Sequence, residues 1–347
     1  MPPAEPSDVV SYPDLATARL DLDGLVTVTR RIELGGVLTR SFRFGVTAHR
    51  AGSRRDWSIL CRKVEDLGFS TLVMPDHLGD QFAPMVALGA AFDVTSRLRM
   101  GALVACNDFR HPVVHAKELA TLDVISEGRL EWGIGAGWLR DEYSMAGIPF
   151  DDPARRVERL QEAVHVMKAL FGDGPVDHRG RYYRITGLDG QPKPVQRPHP
   201  PLLIGGAGRR MLELAAREAK IIGIAPSLRA RSIADRPPLE SVGAAADRQV
   251  RWIGDAAGGR RRDIEINMVA FPVVVTRDRE ARAEAIAERL GLTPSEALAS
   301  PHVWIGTLEQ IADSLVERRG RWGVSYWSVP ARSMEAIAPL VDRLVGT

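Results

Sequence analysis

The stretch Pro201-Leu-Leu-Ile-Gly-Gly-Ala-Gly-Arg-Arg-Met-Leu-Glu-Leu-Ala-Ala-Arg217 decides how the chain is read. Residues 202–204 are a short apolar run that suits a buried strand. Four residues with almost no side chain follow. Leu212, Ala215, Ala216 and Ala219 then fall at i, i+3, i+4 and i+7, one apolar helical face. The unit is strand, glycine turn, helix. Gly205, Gly206, Ala207 and Gly208 let backbone approach a ligand closely, and the first N–H groups of a helix lack partners. The helix dipole favours an anion at this end. Arg209 and Arg210 add positive charge, so a phosphate is the natural guest. No Lys-Ser/Thr follows the glycines, so this is not a Walker loop. Nor is it the spaced Gly-x-Gly-x-x-Gly dinucleotide turn. Alone, the turn is equally compatible with a tight connection that holds nothing.

The same rhythm extends in both directions from residue 41. Strands are expected at 42–48, 71–76, 100–105, 130–134, 202–204, 221–225, 264–275 and 323–329. Helices are expected between them. The first, 54–67, carries Trp57, Leu60, Cys61, Val64 and Leu67 on one face and stops at Gly68. Another opens at Pro112 and closes at Gly128. Alternation alone also permits a doubly wound open sheet. Eight strands over about 300 residues, ending on a helix at 334–345, favour a (β/α)8 TIM barrel. Residues 1–40 stand outside this rhythm. They read as an extension, with a loose Pro-rich start and a short hairpin at 25–38 around Gly35-Gly36. Residues 41–347 read as one catalytic domain with insertions near 173–200 and 228–262.

Composition narrows the function. The chain has 347 residues, 45% hydrophobic and 26% charged, with a formal net charge of +2. That balance gives no basic field for nucleic acid or a membrane surface. Two cysteines, Cys61 and Cys106, exclude a disulfide framework and a four-cysteine metal site. His111 and His115 are four apart but lack a third ligand at metal spacing, so no metal is expected. With no leader and no apolar run of spanning length, a cytoplasmic protein acting on a small molecule is expected. In a barrel the loops after the strands form the active face. There lie His49, Asp76-His77, Cys106-Asn107, Gly135 to Trp138 and Gly205 to Arg209.

Several motifs occur in a telling order: Asp76-His77; Arg110-His-Pro112; Ala116-Lys-Glu-Leu-Ala-Thr-Leu-Asp123; and Ser126-Glu-Gly-Arg129. Gly133-Ile-Gly-Ala-Gly-Trp138 follows, with Glu142 after it. Gly180-Arg-Tyr-Tyr183, Lys193-Pro-Val-Gln196 and Pro201-Leu-Leu-Ile-Gly-Gly206 complete the series. Over residues 42–345 this series resembles the luciferase-like monooxygenase superfamily, and within it the branch that uses the deazaflavin coenzyme F420. The resemblance implies a bacterial-luciferase-like barrel with a flavin or deazaflavin ring in its mouth. The phosphate would rest on Gly205, Gly206 and Ala207, beside Gly208 and Arg209. Backbone at Gly133, Gly135 and Gly137 would approach the ring. A cis non-proline peptide would press on its back at about Ala102–Leu103.

His77 matches the active-site histidine of deazaflavin-using members, and Asp76 its neighbour. A histidine titrates near neutrality and can exchange the proton that accompanies hydride transfer. A carboxylate beside it would raise its pKa or help hold the cofactor. As a bare dipeptide, Asp76-His77 also fits a strand-end hydrogen-bonding pair. His49 is a candidate on the substrate side. Trp138 stands where sugar-phosphate dehydrogenases of the family carry an acidic glutamate, and acids come only at Asp141 and Glu142. That argues against a sugar phosphate and for an aromatic wall against a flatter, less polar substrate. Cys106 reads as a buried, inert thiol. The Arg- and Tyr-rich 173–200 segment reads as a surface hairpin, a cover for the site or a contact for an acidic cofactor tail. The face 113–123 is expected to form a homodimer, as is common in the family. The expected activity is hydride transfer between F420 and a small organic metabolite, such as reduction of an imine or activated alkene. The alternatives are an FMNH2-dependent monooxygenase using oxygen, and a non-catalytic member of the fold.

Overall fold

The computed structural model describes residues 32–34, 37–226 and 242–347. Eight parallel strands close into a barrel: β1 (Arg43–Thr47), β2 (Thr71–Met74), β3 (Arg99–Ala102), β4 (Leu130–Gly135), β5 (Leu202–Gly206), β6 (Ile221–Ile224), β7 (Glu265–Val269) and β8 (Val324–Pro330). Each pairs with the next, and β8 returns to β1. The helices are α1 (Arg54–Asp66), α2 (Pro84–Phe92), α3 (Pro112–Ile125), α4 (Arg140–Met145), α5 (Pro153–Phe171), α6 (Arg209–Glu218), α7 (Val242–Ala257), α8 (Arg279–Leu290), α9 (Pro294–Ala299), α10 (Leu308–Trp322) and α11 (Met334–Leu344). The fold is the (β/α)8 TIM barrel expected from the strand count. Strands covered on both faces read as continuous apolar runs, and β2, β4 and β6 are buried throughout.

The barrel's two ends have different chemistry. At the N-terminal end of the strands, Arg43 bonds Glu131 and Glu265, each at 2.7 Å. Arg99 Nε donates to Glu131 at 3.1 Å, and Tyr326 Oη shares a hydrogen with Thr71 Oγ1 at 2.7 Å. Burial opposes the Glu131 charge, but Arg43 and Arg99 outweigh it and hold the carboxyl below its ordinary range. This end is a satisfied polar plug. At the other end Gly135, Gly137 and Gly205 to Gly208 line the mouth, and lower in the wall glycines bring β3 and β4 together. A Cβ on Gly101 would lie 2.0 Å from the Glu131 carbonyl oxygen, and one on Gly133 1.8 Å from that of Ala102. β3 and β4 therefore approach closely.

Some segments differ from expectation. The run 264–275 is not one strand. β7 ends at Val269, and Val273–Val275 pairs in parallel with Trp304–Gly306 outside the barrel. Pro272, between them, has no N–H to give to the barrel ladder. Within 173–200, Pro175–Arg179 pairs antiparallel with Arg184–Asp189. Glu162 of α5 clamps that hairpin, accepting from the backbone N–H groups of Arg181, Tyr182 and Tyr183. Around Gly35-Gly36, Ile32–Leu34 pairs antiparallel with Val37–Thr39. The remainder of the expected extension and hairpin, and residues 228–241 of the second insertion, lie outside the described residues. No helix among the described residues is long and apolar enough to cross a membrane.

Candidate active site

A cavity of about 950 Å³ occupies the C-terminal mouth of the barrel. Its floor is built from glycine. A Cβ on Gly135 would meet Val104 Cγ2 at 2.6 Å, and one on Gly205 would meet Val104 Cγ1 at 2.9 Å. Leu103 and Val104 line the floor. The cis non-proline peptide joins Leu103 to Val104, one residue beyond the expected 102–103. Ala102 and Gly133, expected against the cofactor, are instead packed on each other and do not line the cavity.

The Gly205–Gly208 turn lines the same cavity and leads into α6. Gly208 is the N-cap, extended at φ −80° and ψ 152°, with no side-chain cap, so no side chain covers the first N–H groups. Gln249 of α7 fixes the turn by donating to the Ala207 and Ala225 carbonyls, both at 3.1 Å. Gly206 faces Met211, whose Cγ a Cβ would meet at 2.4 Å, whereas a Cβ on Gly208 would meet nothing within 4 Å. Arg209 is braced by Glu213 at 2.7 Å and lines the mouth with Arg210.

Sequence reasoning missed a third arginine here. Arg156, from the first turn of α5, is buried yet lines the cavity. Its Nη1 donates to the Gly137 carbonyl and, at 3.4 Å, to that of Ala136; its Nε donates to the Asp151 carbonyl at 3.1 Å. The guanidinium also lies 4.0 Å over the Phe150 ring. It has no carboxylate partner among the described residues. A buried cation hydrogen-bonded to carbonyls, with Asp151 near enough to feel its charge but not ion-paired to it, favours an incoming anion. The available signal was helical spacing, which sets Arg156 on the inward stripe with Leu160, Ala163 and Met167.

The carboxylate beside His77 is Glu142, not Asp76. His77 Nδ1 lies 3.0 Å from Glu142 Oε2, and Glu142 Oε1 accepts from the Leu78 N–H at 3.1 Å. His77 Nε2 has no hydrogen-bond partner among the described residues. Trp138 meets His77 edge to face at 5.8 Å and 85°. Asp76 turns the other way, taking Arg110 at 2.5 and 3.2 Å and the Cys106 N–H at 2.9 Å. Its charge is committed to that pair, although its side chain still reaches the cavity wall. Cys106 Sγ contacts Tyr143 Oη at 3.1 Å, and burial pushes its thiol up to about 11. It stays protonated at neutral pH, so no thiolate faces the cavity.

Asn267 of β7 fills one side of the floor. Its Nδ2 donates to the Tyr326 carbonyl and Ser328 Oγ, at 3.3 and 3.1 Å, which leaves its buried Oδ1 without a partner. His49, expected on the substrate side, is exposed and does not line the cavity. Nor do residues 173–200, because the hairpin is held on α5. Among the described residues no group of His, Cys, Asp or Glu could hold a metal ion.

Residues 36–347 match the luciferase-like monooxygenase family, and the chain belongs to it. An uncharacterised protein of Mycobacterium tuberculosis is 36% identical over 170 residues, which cover 42% of this chain and 59% of that protein. The F420-dependent glucose-6-phosphate dehydrogenase of Microbacterium testaceum is 30% identical over 53% of this chain and 56% of its own length. The FMNH(2)-dependent dimethylsulfone monooxygenase of Pseudomonas fluorescens is 26% identical over 81% of this chain and 74% of its own. Among solved structures, the coenzyme F420-dependent tetrahydromethanopterin reductase of Methanopyrus kandleri superposes with a TM-score of 0.70 at 20% identity, covering 88% of this chain and 98% of that one. The chain is thus a member of the luciferase-like monooxygenase family, and its relatives include an F420-dependent and an FMNH(2)-dependent enzyme.

Two features of the cavity fit such a cofactor. The glycine floor is a cradle that side chains would fill. The buried guanidinium of Arg156 shares the cavity with an uncapped helix N-terminus.

Proposed function

We propose that the protein is an F420-dependent oxidoreductase that transfers a hydride between the deazaflavin and a small organic metabolite in the cytoplasm. The observation that carries this reading is the His77–Glu142 pair inside the cavity. The bound deazaflavin supplies the hydride, and the chain supplies binding, orientation and the proton. Gly205 to Gly208, the α6 N-terminus, Arg156 and Arg209 hold the phosphate. Leu103, Val104, Gly135 and Gly137 give the ring a close-fitting floor. Glu142 accepts the Nδ1 hydrogen of His77, which leaves Nε2 as the atom that exchanges a proton with substrate.

Trp138, Phe109, Tyr143 and Phe150 line the cavity. Their rings suit a flat, weakly polar substrate such as an imine or activated alkene. The Pseudomonas relative favours a second reading, an FMNH2-dependent monooxygenase with the same phosphate turn. Parallel fluorescence titrations separate the two. Tight binding of F420 with weak binding of FMN supports the proposal, and the reverse preference overturns it. A homodimer through α2 and α3 belongs to the same proposal. Those helices leave Val86, Val114 and Ile125 exposed on apolar surface.

A further inference from the structure

The described residues contain a second, small void, outside the barrel. It lies between α8, α10 and the strand Trp304–Gly306, with a volume of about 10 Å³. That is room for one water-sized species. Its polar wall is Arg279, Trp304, Ser314 and Arg318, and Ile305 and Ile311 are among its apolar residues.

The free polar groups in this wall are donors. Trp304 Nε1 and Arg279 Nε are buried with no hydrogen-bond partner. Arg318 is also buried and spends its Nη1 and Nη2 hydrogens on the carbonyls of Pro301, Val303 and Leu298, at 3.3, 3.2 and 3.5 Å. The Ser314 hydroxyl donates to the Gln310 carbonyl at 2.8 Å. Neither arginine forms an ion pair with a carboxylate among the described residues. Buried Arg318 and half-buried Arg279 thus line one pocket with no carboxylate in ion-pair contact among the described residues. Burial above all, and then Arg279, push the Arg318 pKa down to about 10, against the opposing pull of Glu317.

We propose that this void binds one small monoatomic anion, chloride under ordinary conditions, held by Arg279 Nε, Trp304 Nε1 and the charge of Arg318. An anion accepts from both orphan donors and neutralises the paired guanidiniums. A water would satisfy the donors but not the charge. Sulfate and phosphate exceed the void. The ion ties the N-terminus of α8 and the Trp304–Gly306 strand to α10. It stabilises the 273–306 extension independently of the chemistry in the barrel mouth.

Thermal unfolding of the full chain at fixed ionic strength, in sodium chloride against sodium gluconate, tests this. The midpoint should be higher in chloride, by about 2 °C or more, and the rise should saturate with concentration. Trp304→Phe keeps an aromatic ring at the position and removes one donor, and Arg279→Gln removes a charge. Each should fold and lose most of the chloride response. Crystals grown in bromide should show an anomalous peak between Arg279, Trp304 and Arg318. A midpoint indifferent to chloride, an equal response in both variants, or a void without anomalous signal overturns the assignment.

Discussion

Gly208→Asp tests the phosphate turn without disturbing the fold. Gly208 is the N-cap of α6, its backbone is extended, and an added Cβ meets nothing within 4 Å. Aspartate is among the preferred N-cap residues, so α6 should gain a few tenths of a kcal/mol over glycine. The same carboxylate takes the N–H groups that a phosphate would use. It also sets a negative charge beside the ligand. Two like charges about 4 Å apart repel by about 1 kcal/mol in water and about 4 kcal/mol at an effective dielectric constant of 20. The lost helix-terminus attraction adds about 0.3–1 kcal/mol. Gly208 is exposed at the cavity rim, so a total near the lower end, about 2 kcal/mol, is expected. That is roughly a 30-fold rise in Kd. Fluorescence titration of F420 and FMN reads the affinity, and a thermal melt confirms the fold. Gly208→Asn, a neutral cap, should weaken binding less, because it blocks the N–H groups without the charge. A folded Gly208→Asp protein that binds within threefold of wild type would refute the assignment of the phosphate to this turn.

Other expectations follow from the same geometry. His77→Ala should lower turnover by about 10²–10⁴-fold while cofactor Kd stays within threefold. Glu142→Gln should lower turnover less, because the His77 ring keeps a hydrogen-bond partner of similar shape in place of the carboxylate; steady-state measurements check both. His302 is buried against the Val269 carbonyl, and burial chiefly pushes its pKa down to about 4. Its folded value lies below its unfolded value near 6.5. It therefore favours folding fully above about pH 6.5 and loses that contribution as the pH falls towards 4. The loss is on the order of 3 kcal/mol, and His302→Gln should flatten the denaturant midpoint across this window. Val114→Glu with Ile125→Glu should give a folded monomer by sedimentation equilibrium, whereas a dimer retained in that variant would place the interface elsewhere.

The barrel was legible because its signals are local. Parallel strands buried on both faces are bare apolar runs, as in Ile221-Ile-Gly-Ile224, and glycine or proline marks their ends. The Gly205–Gly208 turn was legible for the same reason, since strand, turn and helix are contiguous. The heart of the site was less so. Glu142 and Arg156 enter the cavity from α4 and α5, and only the tertiary fold brings Glu142 to His77. Adjacency was misleading at Asp76-His77. Beyond a strand end, neighbouring side chains diverge, so Asp76 meets Arg110 while His77 faces Glu142. His49 follows the end of the first strand, as a barrel-mouth residue should, yet its side chain lies outside the cavity wall. The split of 264–275 was foreshadowed by Pro272, which cannot donate to a central ladder.

The central claim is hydride transfer that needs no oxygen. It is tested most directly by mixing the protein with reduced F420 under strict anaerobiosis and following reoxidation against a panel of cyclic imines and activated alkenes. The account predicts stoichiometric reoxidation coupled to reduction of at least one acceptor, slowed by about 100-fold or more in His77→Ala. Turnover that appears only with reduced FMN, and only when oxygen is admitted, would contradict it.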